Sequence, residues 1–122
     1  MIPLIGTVLF ATLYFIATMY YPGGSQFDKS ALGFSWANNY WCNLLDDHAI
    51  NGQFNTAQPI ALAALLILCF SLTFFWFQFP KYTLLSKYGK LTIQICGTLA
   101  MTSGFLLFTN LDHDFITNLA SL

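Results

Sequence analysis

The sequence predicts an all-α integral membrane bundle of three transmembrane helices, with one interfacial amphipathic helix in the first outer loop. Three observations carry that expectation. Only 7% of the 122 residues are charged, whereas a soluble domain, which must present a solvated surface, carries roughly 25%. The apolar residues make up 57% of the chain and gather into three runs, 2–21, 59–79 and 91–111, none of which contains a charge. Each run has about 20 residues, enough for a helix rising about 1.5 Å per residue to cross a hydrocarbon core of about 30 Å. In lipid the backbone must satisfy its own hydrogen bonds, so each run is expected to be helical.

A chain of this length makes one domain, read here as a single membrane domain over 1–122. It holds no arginine, and its four lysines are Lys29, Lys81, Lys87 and Lys90. A nucleic-acid partner needs clustered cations over a basic surface, so that class is excluded and the expected partner is the lipid bilayer. The three cysteines, Cys42, Cys69 and Cys96, form no CxxC pair and no metal-finger spacing. Cys69 and Cys96 lie inside apolar runs, where cysteine acts as a small hydrophobe.

The first run competes with a cleaved signal peptide. That reading needs a basic start, a shorter apolar core and a small-residue cleavage site, whereas this run has no preceding cation and ends in Tyr20, Tyr21, Pro22, Gly23 and Gly24. The second run opens with Thr56 as the expected N-cap and Pro59 in the first turn, where its missing N–H removes little. It closes on an aromatic belt, Phe74, Phe75, Trp76, Phe77 and Phe79, before Pro80 stops the helix. The third run starts after Lys90 and ends at Asp112.

The connection 80–90 holds three of the four lysines and no acid. By the positive-inside rule it is cytoplasmic, as is then the N-terminus, and the membrane expected is a bacterial inner membrane. Loop 22–58 and the C-terminal tail then lie outside, with all five acids and both histidines. Within that loop Phe34, Ala37, Trp41, Leu44, Leu45 and His48 recur at spacings of three and four, with Ser35, Asn38, Asn39, Asn43, Asp46 and Asp47 between them. That period predicts an amphipathic helix over 34–50, at headgroup depth because of Trp36, Tyr40 and Trp41. The alternative is a plain cap over the outer helix ends. Asn51 and Gly52 read as a turn into the second span.

Two short clusters bear chemistry: Asp46-Asp47-His48 and Asp112-His113-Asp114. Neutral imidazole with carboxylates is a competent ligand set for a divalent metal such as zinc, with His48, His113, Asp47 and Asp112 as candidate ligands. Such a metal would activate water, and without it an Asp–His pair can act as an oriented base. The plain reading is solvated residues at helix ends, and no HExxH or GxSxG motif is present. In the runs themselves, Thr7, Ala11, Tyr14, Thr18 and Tyr21 share a face of the first, and Thr98, Thr102 and Thr109 lead along the third. These faces either line a crevice or, the favoured reading, pack against other helices; Gly97, Ala100 and Gly104 form a small-residue stripe suited to close packing. No charge inside a run is available for an ion relay, which disfavours a proton or ion transporter.

The aromatic and Asn-rich stretch 33–45, from Gly33 through Trp36, Asn38, Asn39, Tyr40, Trp41 and Asn43 to Leu45, lies between the first two spans. It resembles bacterial multi-pass membrane proteins carrying domain of unknown function 998, over about residues 14–68. Those proteins typically have about six spans and no assigned reaction, and some are suspected of kinship to metal-dependent membrane hydrolases. The resemblance carries no catalytic residue over to this chain. It implies that a three-span chain is a fragment of a larger protein, or half of a homo-oligomer, completed by additional membrane helices. Two functions follow as expectations: a structural or interaction component of a membrane, or a membrane-embedded metal-dependent hydrolase acting on a lipid-like substrate at the outer face.

Overall fold

The computed structural model describes residues 1–107. Three α-helices run through it: α1 (Ile2–Met19), α2 (Gln58–Gln78) and α3 (Lys87–Leu107). Short 3₁₀ helices occupy Trp41–Leu44 and Phe79–Tyr82. Among the described residues there is no strand, only two isolated antiparallel bridges, Gly23 with Leu32 and His48 with Phe54. The all-helical class is as expected.

α1 and α2 are both long and apolar enough to cross a membrane. α1 stops two residues short of the apolar run, where Tyr20 and Tyr21 turn back to bond the carbonyls of Ala17 and Thr18. α2 carries Pro59 in its first turn, and Pro80 is buried in the 3₁₀ helix that follows it. α3 begins at Lys87, four residues before the apolar run, because Ser86 can cap it: the Ser86 hydroxyl accepts from the Gly89 N–H at 3.3 Å. Its first turn therefore holds Lys87 and Lys90, and the end of the third run lies outside the described residues.

The chain forms two compact units. One comprises Met1–Leu9 and, of the described residues, 65–107. In it Gly6 lies against the Ser71 side chain and Gly97 against the Trp76 indole, so close that a Cβ on either glycine would collide. Gly97 thus fulfils the close-packing role expected of the small-residue stripe. A Cβ on Gly104 would meet open space, and Ala100 is exposed. The other unit, Phe10–Ala64, buries Tyr14, Ala17, Tyr21, Leu44, Leu45, Ala49, Ala57, Ala61 and Ala64 in one cluster, with Phe34 and Ile60 packed on it.

The amphipathic helix expected over 34–50 does not form. Only Trp41–Leu44 is helical there, as a single 3₁₀ turn, and the rest is turn and bend. The asparagines assigned to its polar face are the cause. Asn39 and Asn43 are each only 8% exposed, whereas Trp36 and Trp41 are 55% and 56% exposed. The Asn39 side chain accepts from the Ser35 N–H at 3.0 Å and donates to the Gly24 carbonyl at 2.8 Å. Asn43 accepts from the Tyr40 N–H at 2.7 Å. Short amide side chains compete with the helical ladder by bonding nearby backbone, and here they win. Thr56 is not the N-cap either. Its hydroxyl donates to the Tyr20 carbonyl at 2.6 Å, and the Asn55 side chain accepts from the Ala57 N–H just ahead of α2.

The loop closes through backbone contacts that need glycine at two adjacent positions, Gly23 and Gly24. Gly24 has φ +86°, donates to the Ala31 carbonyl at 2.7 Å, and lies against the backbone of Ile50 and Asn51. Gly33 has φ +69° but open space around it. Gly33→Ala should therefore cost only the left-handed backbone term of about 1–2 kcal/mol. Gly24→Ala should cost clearly more than Gly33→Ala, because a clash with backbone adds to the same term. Denaturant midpoints of the two variants, followed by tryptophan fluorescence, check the difference; equal costs would refute the packing described.

Candidate functional site

Loop residues 20–57 are folded around buried side-chain amides. Asn55 is the deepest of these, fully buried, with its Nδ2 facing the carbonyls of Asn43 at 3.1 Å, Leu44 at 3.2 Å and Asp46 at 2.8 Å. The first two end the 3₁₀ turn and the third lies two residues beyond it. The Asn55 Oδ1 accepts from Ala57, and its own N–H donates to the Asp47 carbonyl at 3.0 Å. One side chain thus closes the 3₁₀ turn and launches α2. Sequence reading missed it; the available signal was an asparagine just before an apolar helical run.

Two tyrosines of the first run reach the same loop by their hydroxyls. Tyr14 donates to the Trp41 carbonyl at 2.9 Å, and Tyr21 accepts from the Ile50 N–H at 3.1 Å. A chain of rings surrounds them. Trp41 stacks on Tyr14 with centroids 5.4 Å apart, Trp36 stacks on Phe15 at 5.9 Å, and Phe34 meets both Tyr21 and Trp36 edge-on. Tyr14 and Tyr21 thus pack against the loop, with Thr18 buried between them, while Thr7 and Ala11 are exposed.

The cluster Asp46-Asp47-His48 is exposed on this loop. Asp47 Oδ1 accepts from the Gln58 amide at 2.5 Å, which also donates to the Leu45 carbonyl. The His48 ring meets Phe54 edge-on at 6.2 Å, across the bridge that closes the turn at Asn51 and Gly52. That turn is as expected: Gly52 has φ +83°, and the Asn51 side chain accepts from the Gln53 N–H. Asp112, His113, Asp114 and Thr109 lie outside the described residues. Among the described residues, no three His, Cys, Asp or Glu side chains are placed to hold a metal ion.

Electrostatic perturbation in the loop is modest and local. The hydroxyl and then the N–H of Ser30 hold the Asp28 carboxyl below its ordinary range. Burial pushes the Cys42 thiol up, and the nearby Asp46 charge adds to that, so Cys42 is a poor nucleophile.

Removing the Asn55 amide should open the loop. Asn55→Leu leaves buried carbonyls without donors, at about 1–3 kcal/mol for each one not reached by water. Chemical denaturation should show that loss, and Trp36 and Trp41 emission should shift to the red as the ring cluster loosens. A variant as stable as the parent would refute the role given to Asn55.

No protein-family model, no curated protein and no solved structure matches this chain.

Proposed function

We propose that the chain is a multi-pass integral membrane protein acting as a structural or interaction component, with a folded polar loop held at one membrane face. One observation carries the proposal. Only 22% of the apolar window in α1 and 17% of that in α2 is buried within the protein. A core helix of a soluble protein would hide most of its apolar surface, whereas here residues such as Leu4, Val8, Phe70 and Phe74 are exposed. Lipid is the environment that removes that surface from water.

The hydroxyls of the helices support the same reading. Thr7, Thr18, Ser71, Thr98 and Thr102 each donate to a carbonyl three or four residues back in their own helix. They need no water, so they are tolerable in a lipid-facing or helix-facing position. On this reading α3, continued by the rest of the third apolar run, is a third span. The lysine-bearing connection after α2 then faces the cytoplasm, with the N-terminus on the same side. The metal-dependent hydrolase stays outside the proposal. The described Asp/His cluster turns Asp47 to Gln58 and His48 to Phe54, which gives that reading no observation of its own.

C-terminal reporter fusions test the topology. Fusions ending at Gln53 and at Tyr82 should report opposite sides of the membrane, and one ending at Phe115 should agree with Gln53. The intact mass of the purified protein should retain residues 1–21. A protein cleaved after α1, or Gln53 and Tyr82 reporting the same side, would overturn the proposal.

A further inference from the structure

The hairpin end between α2 and α3 carries positive charge with no acid opposite it among the described residues. Lys81 lies in the 3₁₀ helix Phe79–Tyr82, which packs against α3, and Lys87 and Lys90 lie in the first turn of α3. No acid occurs anywhere from residue 48 to residue 111. None of the three lysines has an ion-pair partner among the described residues. Two cations in a first helical turn also oppose the helix dipole, which favours acids there. No contact among the described residues accounts for such a placement; a bound anion would.

The surroundings narrow the kind of anion. A hollow of about 440 Å³ opens between Lys87 and Lys90 over Leu85 and Leu91. Tyr88 also lines it, and the Gln94 amide on its wall is already donating to the Phe77 carbonyl at 3.1 Å. Beside the lysines, Tyr82 is 86% exposed, Leu84 is fully exposed and Tyr88 is 81% exposed. An acidic peptide in water would leave Leu84 and the two phenol rings solvated. A headgroup boundary covers all three, with tyrosines at the depth they favour. We propose that this hairpin end binds the phosphate headgroups of anionic phospholipids, with Lys81, Lys87 and Lys90 as the cations and Tyr82, Leu84 and Tyr88 seated beneath the headgroups. The inference rests on the membrane reading above and names the leaflet: an anionic one, facing the lysines.

Electron spin resonance on the full chain in phosphatidylcholine bilayers tests it, with nitroxide-labelled phosphatidylglycerol or nitroxide-labelled phosphatidylcholine as the probe. Lipid held at the protein gives an immobilised component, and comparing the two probes gives a selectivity. The wild type should prefer phosphatidylglycerol, by up to about fivefold for each lysine engaged, the equivalent of about 1 kcal/mol per cation at an anionic surface. The preference should shrink when salt rises from about 0.1 M to about 1 M, as the Debye length falls from about 10 Å to about 3 Å. It should also collapse in the triple variant Lys81→Gln, Lys87→Gln, Lys90→Gln and persist in Lys29→Gln. An unchanged phosphatidylcholine signal in the triple variant shows that it remains folded. Equal association of both probes with the wild type, or a preference that survives the triple substitution, overturns the proposal. No immobilised component with either probe would instead sink the membrane reading beneath it.

Discussion

The loop between the first two apolar helices depends on one buried amide. Asn55 faces three carbonyls at the end of the short 3₁₀ turn and just beyond it, and it receives the N–H that precedes α2. A buried carbonyl without a donor is costly, so a 3₁₀ turn packed under Leu44 and Leu45 requires that donor from somewhere. Asparagine supplies two N–H groups and an acceptor from a short side chain, which suits a crowded turn. With that turn fixed, the Trp41 carbonyl is presented to Tyr14 and the ring cluster of Trp36, Trp41 and Phe34 can assemble. Amides and rings thus add to an aliphatic cluster of alanines with Leu44 and Leu45 in holding the loop.

That construction suits a segment beside a membrane. The apolar helices leave much of their surface uncovered within the protein and satisfy their hydroxyls internally. The polar loop does the reverse, burying its amides and exposing indole and phenol rings at Trp36, Tyr40 and Trp41. Rings with one apolar body and one polar tip are the side chains that tolerate the boundary between lipid and water. The two kinds of surface thus suit different solvents, and the division follows from residue chemistry.

Helix class and the positions of α1 and α2 are legible because a charge-free apolar run of about 20 residues has few alternatives. α2 begins and ends within one residue of the expected run. The loop was misread for an identifiable reason. Residues 34–48 do show apolar spacings of three and four, but Asn39 and Asn43, placed by that pattern on a solvent face, bond backbone atoms and turn inward. Periodicity registers polarity and is blind to which polar side chains are short enough to replace a helical hydrogen bond. Asp46, Asp47 and His48 carry ligand chemistry in the sequence, yet Asp47 is engaged by Gln58 and His48 by Phe54. The residues that organise the loop, Asn55 and Gly24, act through backbone geometry, which composition does not advertise.

Backbone hydrogen exchange of the protein in lipid nanodiscs tests most directly whether residues 20–57 form a folded loop locked by buried amides. Exchange should be slow at Gly24, Ala49 and Asn55, whose N–H groups bond to Ala31, Gln53 and Asp47, and fast at the exposed Phe27 and Leu32. Uniformly fast exchange across 20–57, at rates expected of an unstructured chain, would contradict it.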